Sequence, residues 1–388
     1  MSLRFIDGRA AVSISVRFLV AAFALFAAAA GCGDLNDRLG TQDIAYAPDG
    51  TLIAFTVADI RHFDGQLKGE INAPVFAGLG PTHDFLANSF AVSADGTTAA
   101  LEYAQISATG TNRGVRIFQL PAGTILNDIP LDVAPTSAQS AIVDVGSAAI
   151  SPGGDLVFAQ NSAQLPEADT AMFRVADGAR LWSAGWLSEA LFSVDGATLY
   201  AIRNGANDPP NVFELVAFDA LTGAMKFSVN AGVDAIRLVA DGSIIAGEQG
   251  LVMGSSDESS QTPVLGIGFW SAADGTPLST YPTFDYSGLT GSQGHGTEPF
   301  ACWRSGNLCA TATVGTAGNQ ILIWDTAGSL VQRIAVPRAN LGLGFGFAND
   351  LSFSPDGRFV ALAGDTTRVY QVSDGALVAE RTLRAHLF

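Results

Sequence analysis

The chain has little positive charge. Its 388 residues contain 20 lysines and arginines against 37 aspartates and glutamates, which gives a net charge of −17. An acidic surface repels phosphate backbones, and no basic cluster occurs along the chain, so the sequence predicts no nucleic-acid partner. The excess of carboxylates is typical of a soluble surface.

Residue patterns that support catalysis or metal binding are also scarce. The four histidines form no H-E-x-x-H pattern, and their number excludes a histidine-rich zinc or copper site. Lys68 and Lys226 are the two lysines, and neither follows the glycine of a phosphate-binding loop. A G-x-S-x-G nucleophile elbow is absent as well. We therefore predict no catalytic residues, no metal and no cofactor.

The first 31 residues have the order of a secretory signal. Arg4, Arg9 and Arg17 precede an apolar run that ends in small residues. The final tetrapeptide, Ala-Ala-Gly-Cys at residues 29–32, resembles the bacterial lipobox, in which the chain is cut before a cysteine that carries diacylglycerol. The resemblance implies a lipoprotein signal peptide over residues 1–31 and a lipid anchor at Cys32. The alternative is an ordinary secretory signal followed by an incidental cysteine.

The same resemblance implies a location. A lipoprotein of this kind is exported to the bacterial cell envelope, and Gly33 in place of aspartate after the cysteine implies the outer membrane. Residues 32–43 then form a tether between the anchor and the folded chain, or an extra edge strand.

The other two cysteines, Cys302 and Cys309, fall in one short hairpin. If Ser305 and Gly306 form its turn, counting outward places Cys302 directly opposite Cys309. Residues opposite each other on paired strands are within bridging distance, and disulfides persist in exported proteins. We predict a structural disulfide here, with two buried thiols as the alternative.

The chain repeats one unit seven times. In "LSFSPDGRFVAL" (residues 351–362) an apolar strand, a tight turn and a second apolar strand follow one another, and six similar segments precede it. A second hairpin of different sequence follows each copy. The turn glycines of the seven first hairpins are Gly50, Gly96, Gly154, Gly196, Gly242, Gly306 and Gly357.

A stripe of bulky residues marks the second hairpins. Most of them carry an aromatic residue four or five positions before the turn glycine, and the first copy has isoleucine. A cofactor-binding box and a filler between neighbouring sheets are the two interpretations, and we predict the filler. These residues are Ile60, Phe118, Phe173, Phe218, Trp270, Trp324 and Tyr370.

Two hairpins per copy give four antiparallel strands, and seven such sheets predict an all-β, seven-bladed β-propeller over residues 44–388. The Ser-Pro-Asp-Gly turn at 354–357, the Trp324-Asp325 dipeptide and residues 218–229 resemble those of WD-repeat and YVTN-type bacterial propellers. The Gly-His dipeptide of the WD-repeat pattern is absent. We therefore expect hydrophobic packing, with few buried polar networks, to hold most blades.

Loop lengths predict the binding face. With strands named a to d in each blade, the a–b and c–d turns are short and share one face, and the longer b–c and d–a loops, such as residues 106–114, share the other. The loop at 281–300 is the strongest candidate for a ligand site, although it could also pack its aromatics on itself. Its candidate ligand-binding residues are Tyr281, Phe284, Asp285, Tyr286, His295 and Glu298.

These patterns together favour a non-enzymatic protein. We expect a monomeric, lipid-anchored propeller that binds a protein, peptide or glycan partner at the cell envelope through the face of b–c and d–a loops. The alternative is a lactonase-like hydrolase with carboxylates at the central channel.

Overall fold

The strands form seven separate sheets, each built from one continuous stretch of chain. Within a sheet the strands are antiparallel and follow sequence order, so each sheet is one of the predicted repeats. The structure is a computed structural model. It describes residues 43–56, 59–64, 67–68, 71–74, 85–107, 110–131, 148–162, 169–185, 187–204, 213–233, 235–249, 264–279, 283–285, 299–313, 319–337, 350–364 and 366–382.

We number the sheets as blades 1 to 7 in chain order. Blades 1 to 4 comprise β1 (Asp43–Tyr46), β2 (Leu52–Phe55), β3 (Asp59–Phe63) and β4 (Ile71–Pro74); β5 (Phe85–Val92), β6 (Thr98–Ser107), β7 (Gly110–Gln119) and β8 (Thr124–Pro130); β9 (Ala149–Ile150), β10 (Leu156–Ser162), β11 (Asp169–Arg174) and β12 (Arg180–Gly185); and β13 (Leu187–Phe192), β14 (Thr198–Asn204), β15 (Phe213–Asp219) and β16 (Met225–Asn230).

The remaining three blades follow the same plan, except that blade 5 has a fifth strand paired with β19. They comprise β17 (Ala235–Val239), β18 (Ile244–Gln249), β19 (Val264–Ser271), β20 (Pro277–Ser279) and the extra strand β21 (Thr283–Asp285); β22 (Phe300–Cys302), β23 (Leu308–Thr313), β24 (Asn319–Asp325) and β25 (Leu330–Val336); and β26 (Asp350–Phe353), β27 (Phe359–Ala363), β28 (Thr367–Gln371) and β29 (Leu377–Arg381). The prediction of a seven-bladed, all-β propeller is confirmed.

The a–b turns repeat one hydrogen-bonding pattern. In blade 7 the Ser354 hydroxyl donates to Asp356 Oδ1 at 2.7 Å and accepts the N–H of Phe359 at 2.9 Å. Gly357 takes a φ of +68°, a left-handed conformation that glycine adopts at little cost. The hydrogen bond from Ser354 is the main reason that the pKa of Asp356 lies below its usual value. Serines at 93 and 193 hold their turns in the same way, so the turn is fixed by its own sequence.

The hydrophobic core lies between blades. Seven clusters of buried residues each combine side chains from two successive blades, and the last cluster joins blade 7 to blade 1. A four-stranded sheet has two faces, and stacking in a closed ring buries apolar side chains on both. The stripe of bulky residues occupies these interfaces: every member from Ile60 to Tyr370 is buried. Their prediction as fillers between sheets is therefore confirmed.

Blades 1 and 2 depart from the expected hydrophobic packing. Glu102 on β6 is completely buried and pairs with Arg113 on β7, which is nearly so. In blade 1 Arg61 Nε donates to Asp59 Oδ1 at 2.9 Å, and both side chains are buried. The expectation concerned most blades, and these two are exceptions to it. In blade 2 the buried pair arises because β6 and β7 form one long hairpin that carries Arg113 into a strand, where the sequence had predicted a loop over 106–114.

Side chains close the ring between the last blade and the first. The N–H of Ile44 donates to Asp350 Oδ2 at 3.1 Å, and the N–H of Tyr46 donates to the Ser352 hydroxyl at 3.3 Å. Further out, Arg381 Nη1 donates to the carbonyl of Leu67 at 3.1 Å. The described strands of blades 7 and 1 all pair within their own blade, so none of them is exchanged between the two blades.

In the part of the chain that the structure describes, no helix has the length and apolar character needed to cross a membrane.

Candidate functional site

The innermost strands, β1, β5, β9, β13, β17, β22 and β26, surround the central channel. One edge of such a strand faces the channel and is not paired with another described strand, so its N–H groups need other acceptors. At three junctions a side chain of one innermost strand accepts an N–H from the next: Ser89 Oγ from Ala148 at 2.7 Å, Glu189 Oε2 from Ile236 at 3.1 Å, and Asp350 from Ile44. Several polar side chains of the channel wall are therefore used in holding blades together.

One channel arginine is fully engaged in this way. Arg237 on β17 pairs with Glu189 on β13, and its Nη1 also donates to the carbonyl of Ile236 at 2.7 Å. Its guanidinium lies 6.0 Å from the centroid of the Phe300 ring in blade 6. These contacts neutralise the charge of Arg237, which thus joins three successive blades.

An open pocket of about 220 Å³, called the cavity below, lies at the centre of the turn face. Its wall is formed by the turn-side ends of the innermost strands of blades 2, 3 and 4, and Arg304 reaches it from the a–b turn of blade 6. Blade 6 stands across the ring from these three blades, so the cavity occupies the mouth of the central channel. The wall residues are Ala91, Val92, Ala94, Ala148, Ala149, Ile150, Pro152, Ala190, Leu191, Phe192 and Arg304.

The hairpin that carries Arg304 is held by a disulfide and by hydrogen bonds to both neighbouring blades. Cys302 and Cys309 form a disulfide across its base, with Cα atoms 4.0 Å apart. The indole Nε1 of Trp303 donates to the carbonyl of Pro355 in blade 7 at 3.0 Å. On the other flank the carbonyl of Arg304 accepts the N–H of Asp241 in blade 5 at 2.8 Å. The hairpin of Arg304 is thus held by two neighbouring blades as well as by its own.

Arg304 is the one charged residue at its position in the repeat. Two residues before the turn glycine, the other six copies have proline, alanine or valine at Pro48, Ala94, Pro152, Val194, Ala240 and Pro355. The Arg304 side chain is partly buried, and burial lowers the pKa of its guanidinium, although an arginine stays charged at neutral pH. No described residue places a carboxylate within 4.0 Å of it. The cavity therefore contains one cation, and the other side chains of its wall are apolar.

The disulfide confirms the predicted pairing of Cys302 with Cys309 in adjacent strands. We expect a variant with both cysteines replaced by alanine to lose about 2.5 kcal/mol of unfolding free energy, because the bridge restricts the unfolded chain across a short loop. Equilibrium denaturation in urea measures the loss. Dithiothreitol should shift the wild-type curve similarly and leave the variant unchanged; equal stability of the two proteins without reductant would contradict the assignment.

The predicted ligand loop is only partly described. Phe284 and Asp285 belong to β21, where Leu265 faces Phe284 and Val264 faces Asp285. The backbone at these two positions is therefore strand rather than loop, because it pairs with the edge of β19. Four other candidates, Tyr281, Tyr286, His295 and Glu298, lie outside the described residues, as do Cys32 and residues 1–42.

A hydrolytic centre in the channel would need convergent carboxylates. Among the residues that the structure describes, no group of three or more His, Cys, Asp and Glu side chains could hold a metal ion. Two carboxylates of the described innermost strands, Glu189 and Asp350, are engaged in contacts between blades. The structure thus does not favour the lactonase-like alternative.

No protein-family model and no curated protein matches this sequence. Three solved structures are similar in fold: hydrazine synthase of Kuenenia stuttgartiensis (14% identity, TM-score 0.57, 92% of this chain and 99% of that chain), a chain of the mitotic checkpoint complex (16%, 0.55, 85% and 86%), and the β-propeller domain of Cps50 (Swd1) from Myceliophteria thermophila (15%, 0.54, 87% and 95%). Identities this low establish architecture alone. The chain has the fold of a WD40-like, seven-bladed β-propeller.

Proposed function

We propose that this protein is a binding propeller that recognises a macromolecular partner at the bacterial cell envelope. The observation that carries the proposal is the closed ring itself: seven blades locked by apolar clusters form a rigid disc whose loops vary in length. A rigid scaffold lets loops bind with little ordering cost. Among the similar folds, one chain belongs to the mitotic checkpoint complex, which supports a protein or peptide as the partner. A glycan is the other partner that the aromatic loop at 281–300 would suit.

Exposed apolar side chains on the outer strands add a second surface. Large side chains at the start of the d strands are well exposed in blades 2, 4, 5, 6 and 7. Side chains of this kind along the rim of a monomer are suited to contact with another protein. They are Ile125, Leu126, Met225, Leu278, Leu330, Val331, Leu377 and Val378.

The proposal includes export and a lipid anchor at Cys32, with the propeller held as a monomer near the outer membrane. The support is the order of arginines, apolar run and Ala-Ala-Gly-Cys in residues 1–32. An inhibitor of the lipoprotein signal peptidase should cause the precursor to accumulate, and a Cys32→Ser variant should lose radiolabelled fatty acid. Normal processing in the presence of inhibitor would remove the anchor from the proposal.

Partner binding is tested with the full chain carrying a C-terminal tag, solubilised in detergent and exposed to envelope extract. We expect one retained species that also binds directly once purified. Protease treatment of the extract abolishes retention of a protein partner, and glycosidase treatment abolishes that of a glycan. If nothing is retained beyond what an unrelated acidic propeller retains, the binding function is wrong.

A further inference from the structure

We propose that the cavity on the turn face binds a small aliphatic carboxylate, with the Arg304 guanidinium as its anchor. The inference goes beyond the proposed function, which concerns the opposite face and the rim, so the two can fail separately.

The charge of Arg304 is the first argument. Arg237 at the channel is neutralised by Glu189, whereas no described carboxylate lies within 4.0 Å of the Arg304 guanidinium. A partly buried cation loses part of its hydration, and a counter-ion compensates for that loss. The planar guanidinium has parallel N–H donors that match the two oxygens of a carboxylate. A bound carboxylate would therefore supply an ion-pair partner that no described residue provides.

The wall of the cavity selects the rest of the ligand. Apart from Arg304 it consists of aliphatic side chains, proline and Phe192. A phosphate or sulfate needs several donors, and this wall offers a single cation with no hydroxyl, amide or second basic side chain. The volume of about 220 Å³ is below the roughly 300–1,000 Å³ of pockets for drug-sized ligands. A carboxylate attached to a few apolar carbons fits both the single cation and the small volume of the cavity.

Rigidity is the third argument. The disulfide, the Trp303 bond to Pro355 and the Asp241 bond to the Arg304 carbonyl position the hairpin before any ligand arrives. The backbone that carries the guanidinium then needs no ordering on binding. An exposed turn arginine with a mobile backbone would lack this advantage.

Two sources present this chemistry: a free short-chain acid, and the C-terminal residue of a polypeptide that ends in an aliphatic side chain. The probes are 4-methylpentanoate and a pentapeptide ending in leucine with a free carboxylate, each titrated into the full chain by NMR. We expect at least one to bind, with the corresponding amide at least about tenfold weaker. The tighter of the two acids identifies the source. Absence of binding by both at about 10 mM, or equal binding of acid and amide, would overturn the proposal.

Matched variants place the ligand in the cavity. Arg304→Gln should weaken the acid about 10- to 100-fold, because a charge-assisted hydrogen bond is lost. Arg358→Gln removes the same charge from an exposed turn position in blade 7 and should leave binding unchanged. Ala94 is exposed at the cavity rim, so replacing it with Glu or with Gln should not disturb folding. Ala94→Glu should weaken binding of the acid as strongly as Arg304→Gln does, whereas Ala94→Gln should leave that binding unchanged.

Two results of this series would refute the site. Unchanged affinity in both Arg304→Gln and Ala94→Glu would mean that the acid binds elsewhere. An equal loss in Arg304→Gln and Arg358→Gln would mean that the protein attracts the acid through general charge alone. Circular dichroism of each variant confirms that the propeller is intact.

Discussion

Replacing Trp324 with alanine should lower the free energy of unfolding by about 3–5 kcal/mol. Its indole is 1% exposed and packs in the cluster between blades 5 and 6, with Phe269, Leu322 and Cys309. Truncation removes apolar surface from both blades and leaves a cavity that rigid neighbouring sheets cannot fill. Equilibrium unfolding in guanidinium chloride measures the loss.

Two variants of the same blade test the explanation. Trp324→Phe retains most of the buried volume and should cost well under half as much as alanine. Leu330 is 43% exposed on the outer strand β25, and its replacement by alanine should change stability by no more than about 0.5 kcal/mol. Similar losses at Trp324 and Leu330 would show that the interface between blades does not determine stability.

Replacing Glu102 with alanine should cost a similar amount, about 3–5 kcal/mol, for an electrostatic reason. Glu102 is completely buried on β6, and Arg113 on β7 is its partner. Removal of the carboxylate leaves the guanidinium of Arg113 in a low-dielectric interior without its counter-ion, which is far costlier than losing an exposed ion pair. Thermal and chemical unfolding both report the change.

The double variant Glu102→Leu with Arg113→Met separates charge from packing. It removes both charges and preserves side-chain volume, so most of the lost stability should return. Glu214 and Arg203 form a comparable cross-strand pair in blade 4 with side chains about one-third exposed, and Glu214→Ala should cost no more than about 1 kcal/mol. A double variant as unstable as Glu102→Ala would assign the loss to packing instead.

Features that depend on short-range sequence were predictable. Turn glycines such as Gly357 and the alternation of apolar residues around them define the hairpins, since positive φ and two-residue periodicity are local properties. The same counting gave the register of the hairpin from Cys302 to Cys309, because pairing proceeds outward from the turn. Trp324 and its equivalents were assigned to interfaces because they recur once per blade.

Features that depend on distant contacts were missed. The cavity joins Arg304 to residues between 91 and 192, and no local pattern brings these segments together. The sequence held one indication of the cavity: Arg304 takes the position that proline, alanine or valine occupies in the other six turns. The pair of Glu102 and Arg113 was missed because Thr-Asn-Arg-Gly at 111–114 has turn-forming composition, yet the hairpin of β6 and β7 continues through it as strand.

The closure of the ring by side chains has a consequence for its evolution. Since no described strand pairs with a blade from the opposite end of the chain, the coding segment of one blade coincides with one sheet. Duplication or deletion of such a gene segment would add or remove a whole structural unit, leaving the hydrogen-bonded ladders of the others untouched. A ring of different size would then have to re-form the contacts between its last and first blades, such as the hydrogen bonds from blade 1 to Asp350 and Ser352 and the apolar cluster of the same interface.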